Sequence, residues 1–152
     1  MMEILSENRR ARFDYDIIET FEAGIELKGF EVKAAKKGRA GLAGSFVRPE
    51  NGELFLTGTD IPPYQADNTP KDYDQKRTRR LLMKSKEIAY LVEKVAGERL
   101  TIVPTKMYNK RGLVKLEIAL AKSKKKADKR ETIKKRDTDR HIDRTLKSTR
   151  RR

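Results

Sequence analysis

The sequence contains no cysteine. A disulfide scaffold, a thiolate metal centre and a thiol nucleophile are therefore excluded. There is no tryptophan, and His141 is the one histidine. A histidine-rich metal site is excluded, and any catalytic triad would depend on that single imidazole. His141 lies between Arg140 and Ile142 in a strongly basic segment. A general base needs a fixed pocket, which such a segment does not offer. Glycine (9) and proline (5) are too sparse for a collagen-like or low-complexity chain. No apolar run approaches the roughly 20 residues that span a bilayer. The opening residues, Met1-Met2-Glu3-Ile4-Leu5-Ser6-Glu7, lack the basic start and apolar stretch of an export signal. The expectation is a cytoplasmic protein without a membrane partner.

What the chain has in excess is positive charge. Its 152 residues carry 37 Lys/Arg against 23 Asp/Glu, a formal charge of +14. A polyanionic partner follows, most often nucleic acid. The excess is uneven. Residues 121–152 hold 15 basic and 5 acidic side chains, a net of +10, while residues 1–120 hold 22 and 18, a net of +4. The last 32 residues contain only five apolar ones: Ala121, Ala127, Ile133, Ile142 and Leu146. They cannot bury enough surface to offset the entropy of ordering. The reading is a flexible N-terminus (1–8), a folded domain (9–121) and a basic tail (122–152) that is disordered when free.

Within the domain, turn signals recur at strand-like spacing. Residues 13–21 are rich in aromatic and β-branched side chains and read as a strand. Asn51-Gly52 separates Ser45-Phe46-Val47-Arg48 from Glu53-Leu54-Phe55-Leu56-Thr57. This is the strongest hairpin signal in the chain, because Asn and Gly both tolerate positive φ. A second hairpin is expected where residues 100–108 turn through Asn109-Lys110-Arg111-Gly112 into 113–120. Pro104 requires an edge or a bulge in that strand. Val114, Leu116, Ile118 and Leu120 alternate as the covered face of the last strand.

One helix is clear. Ile88, Leu91, Val92 and Val95 form a single stripe, with Ser85 placed to cap the start and Gly97 the end. Residues 77–84 read as a short basic helix. Residues 24–37 are compatible with a helix after Gly24, and 61–76 read as a loop. Five or six short antiparallel strands with two or three helices fit a partly open barrel of the oligonucleotide-binding type; a sandwich fits the strand count nearly as well.

Few residues offer chemistry. Asp14, Asp16 and Glu19 fit the wet face of a strand. There is no phosphate-cradling G-x-x-x-x-G-K-[ST], and Gly38-Arg39-Ala40-Gly41 is only a small-residue turn. No catalytic constellation, metal site or cofactor site emerges, so the chain is not expected to be an enzyme. The basic cluster Arg77, Arg79, Arg80, Lys84 and Lys86, set beside Leu81-Leu82-Met83, suits phosphate contact. The tail runs Lys122, Lys124, Lys125, Lys126, Lys129, Arg130 and Lys134, Lys135, Arg136 suit RNA or DNA.

Several stretches together carry a likeness. They are Asn8-Arg9-Arg10-Ala11-Arg12, Phe21-Glu22-Ala23-Gly24-Ile25-Glu26-Leu27-Lys28-Gly29-Phe30-Glu31-Val32-Lys33, Ile61-Pro62-Pro63-Tyr64 and Arg77-Thr78-Arg79-Arg80-Leu81-Leu82-Met83. Ala119-Leu120-Ala121-Lys122-Ser123-Lys124-Lys125-Lys126-Ala127-Asp128-Lys129-Arg130 completes them. In this order and spacing, from Asn8 to Arg136, the chain resembles the SmpB family of bacterial SsrA-binding proteins.

The resemblance implies an oligonucleotide-binding-type β-barrel with two or three flanking helices. It implies binding to the tRNA-like domain of transfer-messenger RNA (SsrA RNA). It further implies delivery, with elongation factor Tu, to ribosomes stalled on truncated messages. The tail would enter the empty mRNA channel and order there as a helix, and the stalled peptide would be tagged. By motif match, Asn8, Glu22 and Leu82 take family RNA-contact positions. Lys33, Arg77, Arg79, Arg80 and Lys84 join them as RNA-binding residues. Lys124, Lys125, Lys129, Arg130, Ile133, Lys134, Lys135 and Arg136 form the ribosome-binding tail.

The chain departs from the family pattern at Asp60, often His, at Ser123, often Gly, and near Thr138, where a tail aromatic is usual. A monomer is expected. The alternative class is a ribosomal or ribosome-assembly protein with an rRNA-binding tail. A general single-strand binder would need several outward aromatics, and the chain has only ten.

Overall fold

The computed structural model describes residues 2–65, 67 and 69–124. In chain order they form β1 (Met2–Glu7), α1 (Arg9–Asp14), β2 (Tyr15–Ile25), α2 (Gly29–Lys36) and β3 (Phe46–Glu50). There follow β4 (Glu53–Thr57), β5 (Arg79–Leu82), α3 (Ser85–Glu98), β6 (Thr101–Lys110) and β7 (Leu113–Ser123).

Two tight turns fix the strand registers. Asn51 and Gly52 both take positive φ, 50° and 77°, and place Glu50 opposite Glu53. Arg111 and Gly112 do the same, at 53° and 83°, and place Lys110 opposite Leu113. Both are two-residue connections whose twist matches the strands they join. The expected break near Pro104 is a bulge between Pro104 and Lys106.

All pairings are antiparallel, and their order closes on itself as β6–β3–β4–β5–β2–β7–β6, with β1 added beside β6. This closed ring with three helices accords with the oligonucleotide-binding-type expectation. Alternation sends Leu54, Leu56, Leu81, Ile102, Met107, Leu116, Ile118 and Leu120 inward, where they are almost fully buried. Ala34 and Ala35 of α2 and Leu91 of α3 complete the same core.

Several expectations need correction. Residues 79–82 are a strand, not part of a basic helix. Arg79 and Leu81 point inward while Arg80 and Leu82 face outward. An inward arginine hides the period-two pattern from the sequence. The segment expected as a strand from residue 13 begins as α1, because the Asn8 side chain caps it by accepting from the Ala11 N–H. Ser85 is the first helical residue of α3 rather than its cap, which is Lys84. Gly97 lies inside α3, and the left-handed residue that ends it is Arg99, at φ 53°. The N-terminal segment read as flexible contributes β1, which pairs with β6 from Met2 opposite Lys110 to Glu7 opposite Lys106. The tail expectations from Lys125 onward lie outside the described residues.

Candidate nucleic-acid interface

Alternation on β2 turns Ala23 and Ile25 into the core and leaves Glu22 and Gly24 on the outside. On the neighbouring strands Leu82 lies opposite Gly24 from one side, and Lys115 from the other. A Cβ at position 24 would sit 3.2 Å from the Leu82 Cβ, so glycine leaves room for that side chain. Leu82 is 48% exposed, although the inward Leu81 beside it is 2% exposed. Glu22, Gly24, Leu82, Met83, Lys84, Glu87 and Lys115 line a shallow groove of about 530 Å³.

The Glu22 carboxylate is held in place from below. The Tyr108 hydroxyl donates to its Oε2 at 2.6 Å, and Lys110 Nζ approaches the same oxygen at 3.1 Å. The hydrogen bond from Tyr108, then that from Lys110, keeps the carboxyl below its ordinary value. Burial and the bond to Glu22 raise the Tyr108 phenol. The carboxylate is thus ionised at neutral pH, oriented and open to solvent. It has lone pairs left to accept from base amino groups or ribose hydroxyls. Leu82 sets an exposed apolar side chain in the same groove, and Lys84 and Lys115 set cations there.

The other expected RNA residues divide. Asn8 is 5% exposed, and both ends of its amide are engaged. Oδ1 accepts from Ala11 N–H at 3.2 Å, and Nδ2 donates to the Pro104 carbonyl at 2.8 Å. It lines a cleft with Glu7, Arg9, Arg12, Thr105 and Lys106, apart from the Glu22 groove.

Arg79 does not offer its guanidinium to solvent. Its side chain is fully buried and donates to Glu31 Oε2 at 2.6 and 2.9 Å. Further bonds run to the Thr59 carbonyl at 2.8 Å and the Gln75 carbonyl at 3.0 Å. Arg77 pairs with the same carboxylate. Burial alone would push the Glu31 carboxyl up. Hydrogen bonds from Arg77, the Lys28 N–H, Arg79 and Tyr73 outweigh it and hold the group down to about 2. Burial and the bond to Glu31 push the Tyr73 phenol up to about 12. The expectation that Arg77 and Arg79 form one basic surface is therefore corrected: a buried charge needs a partner, and Glu31 takes both.

Arg80 is exposed and pairs with Glu53 at 2.6 Å. Lys33 is exposed on α2 and does not line the groove. The Lys124 N–H donates to the Asp14 carbonyl at 3.0 Å, and its Nζ lies 4.0 Å from Asp16. Lys125, Lys129, Arg130, Ile133, Lys134, Lys135 and Arg136 lie outside the described residues. No cluster of three or more metal-ligating side chains occurs among the described residues. Tyr108, Lys110 and Lys115 were not anticipated in the site. The second hairpin's register at Arg111-Gly112 pairs Tyr108 with Lys115, and the β2–β7 register, with Lys115 opposite Gly24, brings that pair next to Glu22.

The groove, the ring and the quoted stretches can be placed among known proteins. The family model described as "SmpB protein" matches residues 5–148. The SsrA-binding protein of Thermosipho africanus (strain TCF52B) is 52% identical over 150 residues, covering 98% of this chain and 100% of that protein. The SsrA-binding protein of Pelotomaculum thermopropionicum is 50% identical over 146 residues, covering 96% of this chain and 95% of that protein. A solved chain described by the words "tmRNA-SmpB: a journey to the center of the bacterial ribosome" superposes with a TM-score of 0.66. It is 43% identical and covers 84% of this chain and 93% of that one. With one family model over most of its length and near-full-length relatives at half identity, this chain belongs to the SmpB family.

Proposed function

We propose that this chain binds the tRNA-like domain of transfer-messenger RNA and serves trans-translation, the rescue of stalled ribosomes with tagging of the unfinished peptide. The observation that carries this reading is the open groove in which an oriented Glu22 carboxylate lies beside the exposed Leu82 and Lys84. A folded RNA is read by its hydroxyls, unstacked bases and phosphates, and these three side chains match those three needs. Family membership supplies the identity of the RNA.

Asn8 sets the start of α1, and through Arg9 and Arg12, which line the separate cleft beside it, adds a second contact region for the RNA. Arg80 and Lys33 add phosphate contacts from other faces. The tail, with Lys125, Lys129, Arg130, Ile133, Lys134, Lys135 and Arg136, senses the empty mRNA channel through contacts of its basic side chains with ribosomal RNA. Elongation factor Tu joins through the aminoacylated RNA. The protein acts as a monomer in the bacterial cytoplasm, without catalysis of its own.

Glu22→Ala and Leu82→Asp test the groove. Both side chains are exposed, so each variant should melt cooperatively near the parent temperature. Each should bind the tRNA-like domain at least about fivefold more weakly, the equivalent of ~1 kcal/mol of lost contact. Unchanged affinity in folded variants would remove the groove from the interface.

A further inference from the structure

The surface that carries the groove continues beyond Lys115. Gly24 lies opposite Lys115, Lys115 opposite Tyr108, and Tyr108 opposite Ile4. One step along, Leu113 lies opposite Lys110, and Lys110 opposite Met2. Directly opposed residues of neighbouring strands share a face. One outer surface therefore runs from Leu82 on β5 across β2, β7 and β6 to β1.

That surface is apolar where it needs no apolar residue. Leu113 is 61% exposed, Met2 53%, Ile4 48% and Leu82 48%. The inward neighbours Leu116 and Met107 are fully buried, so these side chains are no overflow from the core. They are four of the seven large apolar side chains exposed among the described residues. Tyr108, between Lys115 and Ile4, is only 4% exposed. The exposed apolar side chains therefore form two patches on this face, Leu82 at the groove and Leu113, Met2 and Ile4 at the β1 end. Exposed apolar patches mark binding surfaces.

The charge on this surface selects its occupant. Lys110 and Lys115 stand among the apolar residues, and Lys84 lies at the groove's far side. Glu22 and Glu87 share the groove with these lysines, and Lys110 is already paired with Glu22 at 3.1 Å, so Lys84 and Lys115 are the cations left to face an anionic partner. The outer edge of β1 is interrupted by a register shift between Ile4 and Ser6, which disfavours strand-to-strand pairing with a second copy. RNA supplies what the surface lacks: phosphates for Lys84 and Lys115 and unstacked bases for the apolar side chains. The geometry points to an RNA-binding face that extends from the Glu22–Leu82 groove to β1. Leu113, Ile4 and Met2 pack on unstacked bases, and Lys115 meets a phosphate. This inference rests on the RNA-binding reading above and deepens it.

The test uses the full-length protein, its Ile4→Ser/Leu113→Ser variant and its Lys115→Gln variant. The probes are the tRNA-like domain and an elongator tRNA, each titrated at several salt concentrations. The parent should prefer the tRNA-like domain. The double variant should melt as the parent does and lose about fivefold or more in affinity for that domain, from lost apolar burial. Lys115→Gln should flatten the plot of log affinity against log salt by about one phosphate contact, roughly 0.7–0.9. If the parent shows its preference but both variants match it in affinity and salt slope, the extension is wrong and the groove reading stands. If the parent shows no preference, the RNA reading itself fails and takes the extension with it. If the double variant changes only the sedimentation of the protein alone, this face is a self-association surface and the extension is overturned.

Discussion

At the scale of single residues, the proposed site centres on one carboxylate whose setting is built from another part of the chain. Glu22 is on β2, while Tyr108 and Lys110, which hold it, are on β6. Tyr108 is 4% exposed and its hydroxyl is spent on Glu22, so in the proposed interface it is a positioning residue. Tyr108→Phe should weaken binding to the tRNA-like domain severalfold while leaving the melting transition cooperative. In a Glu22→Ala background the same substitution should cost nothing further, because the interaction it supports is already gone. Additive losses, measured as a double-mutant cycle of RNA affinities, would mean that Tyr108 contacts the RNA itself. Glu22 and Leu82 were legible in the sequence only through the family motif, since an acid and a leucine on a strand are otherwise unremarked. Tyr108 was not legible, because its partner lies 86 positions away in the chain.

At the scale of elements, Glu31 ties α2 to β5 and to the loop before it. One buried carboxylate takes hydrogen bonds from Arg77, Arg79 and the Tyr73 hydroxyl, three side chains more than 40 positions away. The two-residue turns at Asn51-Gly52 and Arg111-Gly112 were legible because their φ requirement is local. The strand at Arg79–Leu82 was not, because its inward arginine is explained only by a carboxylate 48 positions earlier.

Glu31→Gln should be strongly destabilising at neutral pH, by about 3 kcal/mol or more, because it leaves two guanidinium groups poorly paired. The folded carboxyl is held down to about 2, below its unfolded value. Its stabilisation is therefore fully present above the ordinary carboxylate range, near pH 4.3, and is lost as the pH falls toward about 2. The gap in melting temperature between parent and variant should narrow steadily on acidification through that window. A gap independent of pH would show that the carboxylate charge does not hold these elements together.

At the scale of the whole molecule, charge is unevenly divided between body and tail. The body through residue 120 has a net charge of +4, and the remainder carries +10. This division was the plainest message of the sequence, because composition needs no partner residue to be read. Closure of the ring was less plain. It depends on β5, whose strand pattern is masked, and β1 was not anticipated because Met2, Ile4 and the acids around them lack a buried apolar face.

Removing residues 131–152 should leave affinity for the tRNA-like domain within about threefold at near-physiological salt, and should abolish peptide tagging in a reconstituted translation reaction. Loss of RNA binding on truncation would place recognition in the tail instead of the body.

The most direct measurement is an affinity comparison at near-physiological salt, because any protein of charge +14 binds RNA when salt is low. The tRNA-like domain of transfer-messenger RNA, an elongator tRNA and an unrelated hairpin are titrated against the full-length protein. A clear preference for the tRNA-like domain, diminished by Glu22→Ala, is the result this account predicts. Equal binding to all three RNAs would contradict it and leave a basic protein that reads charge alone.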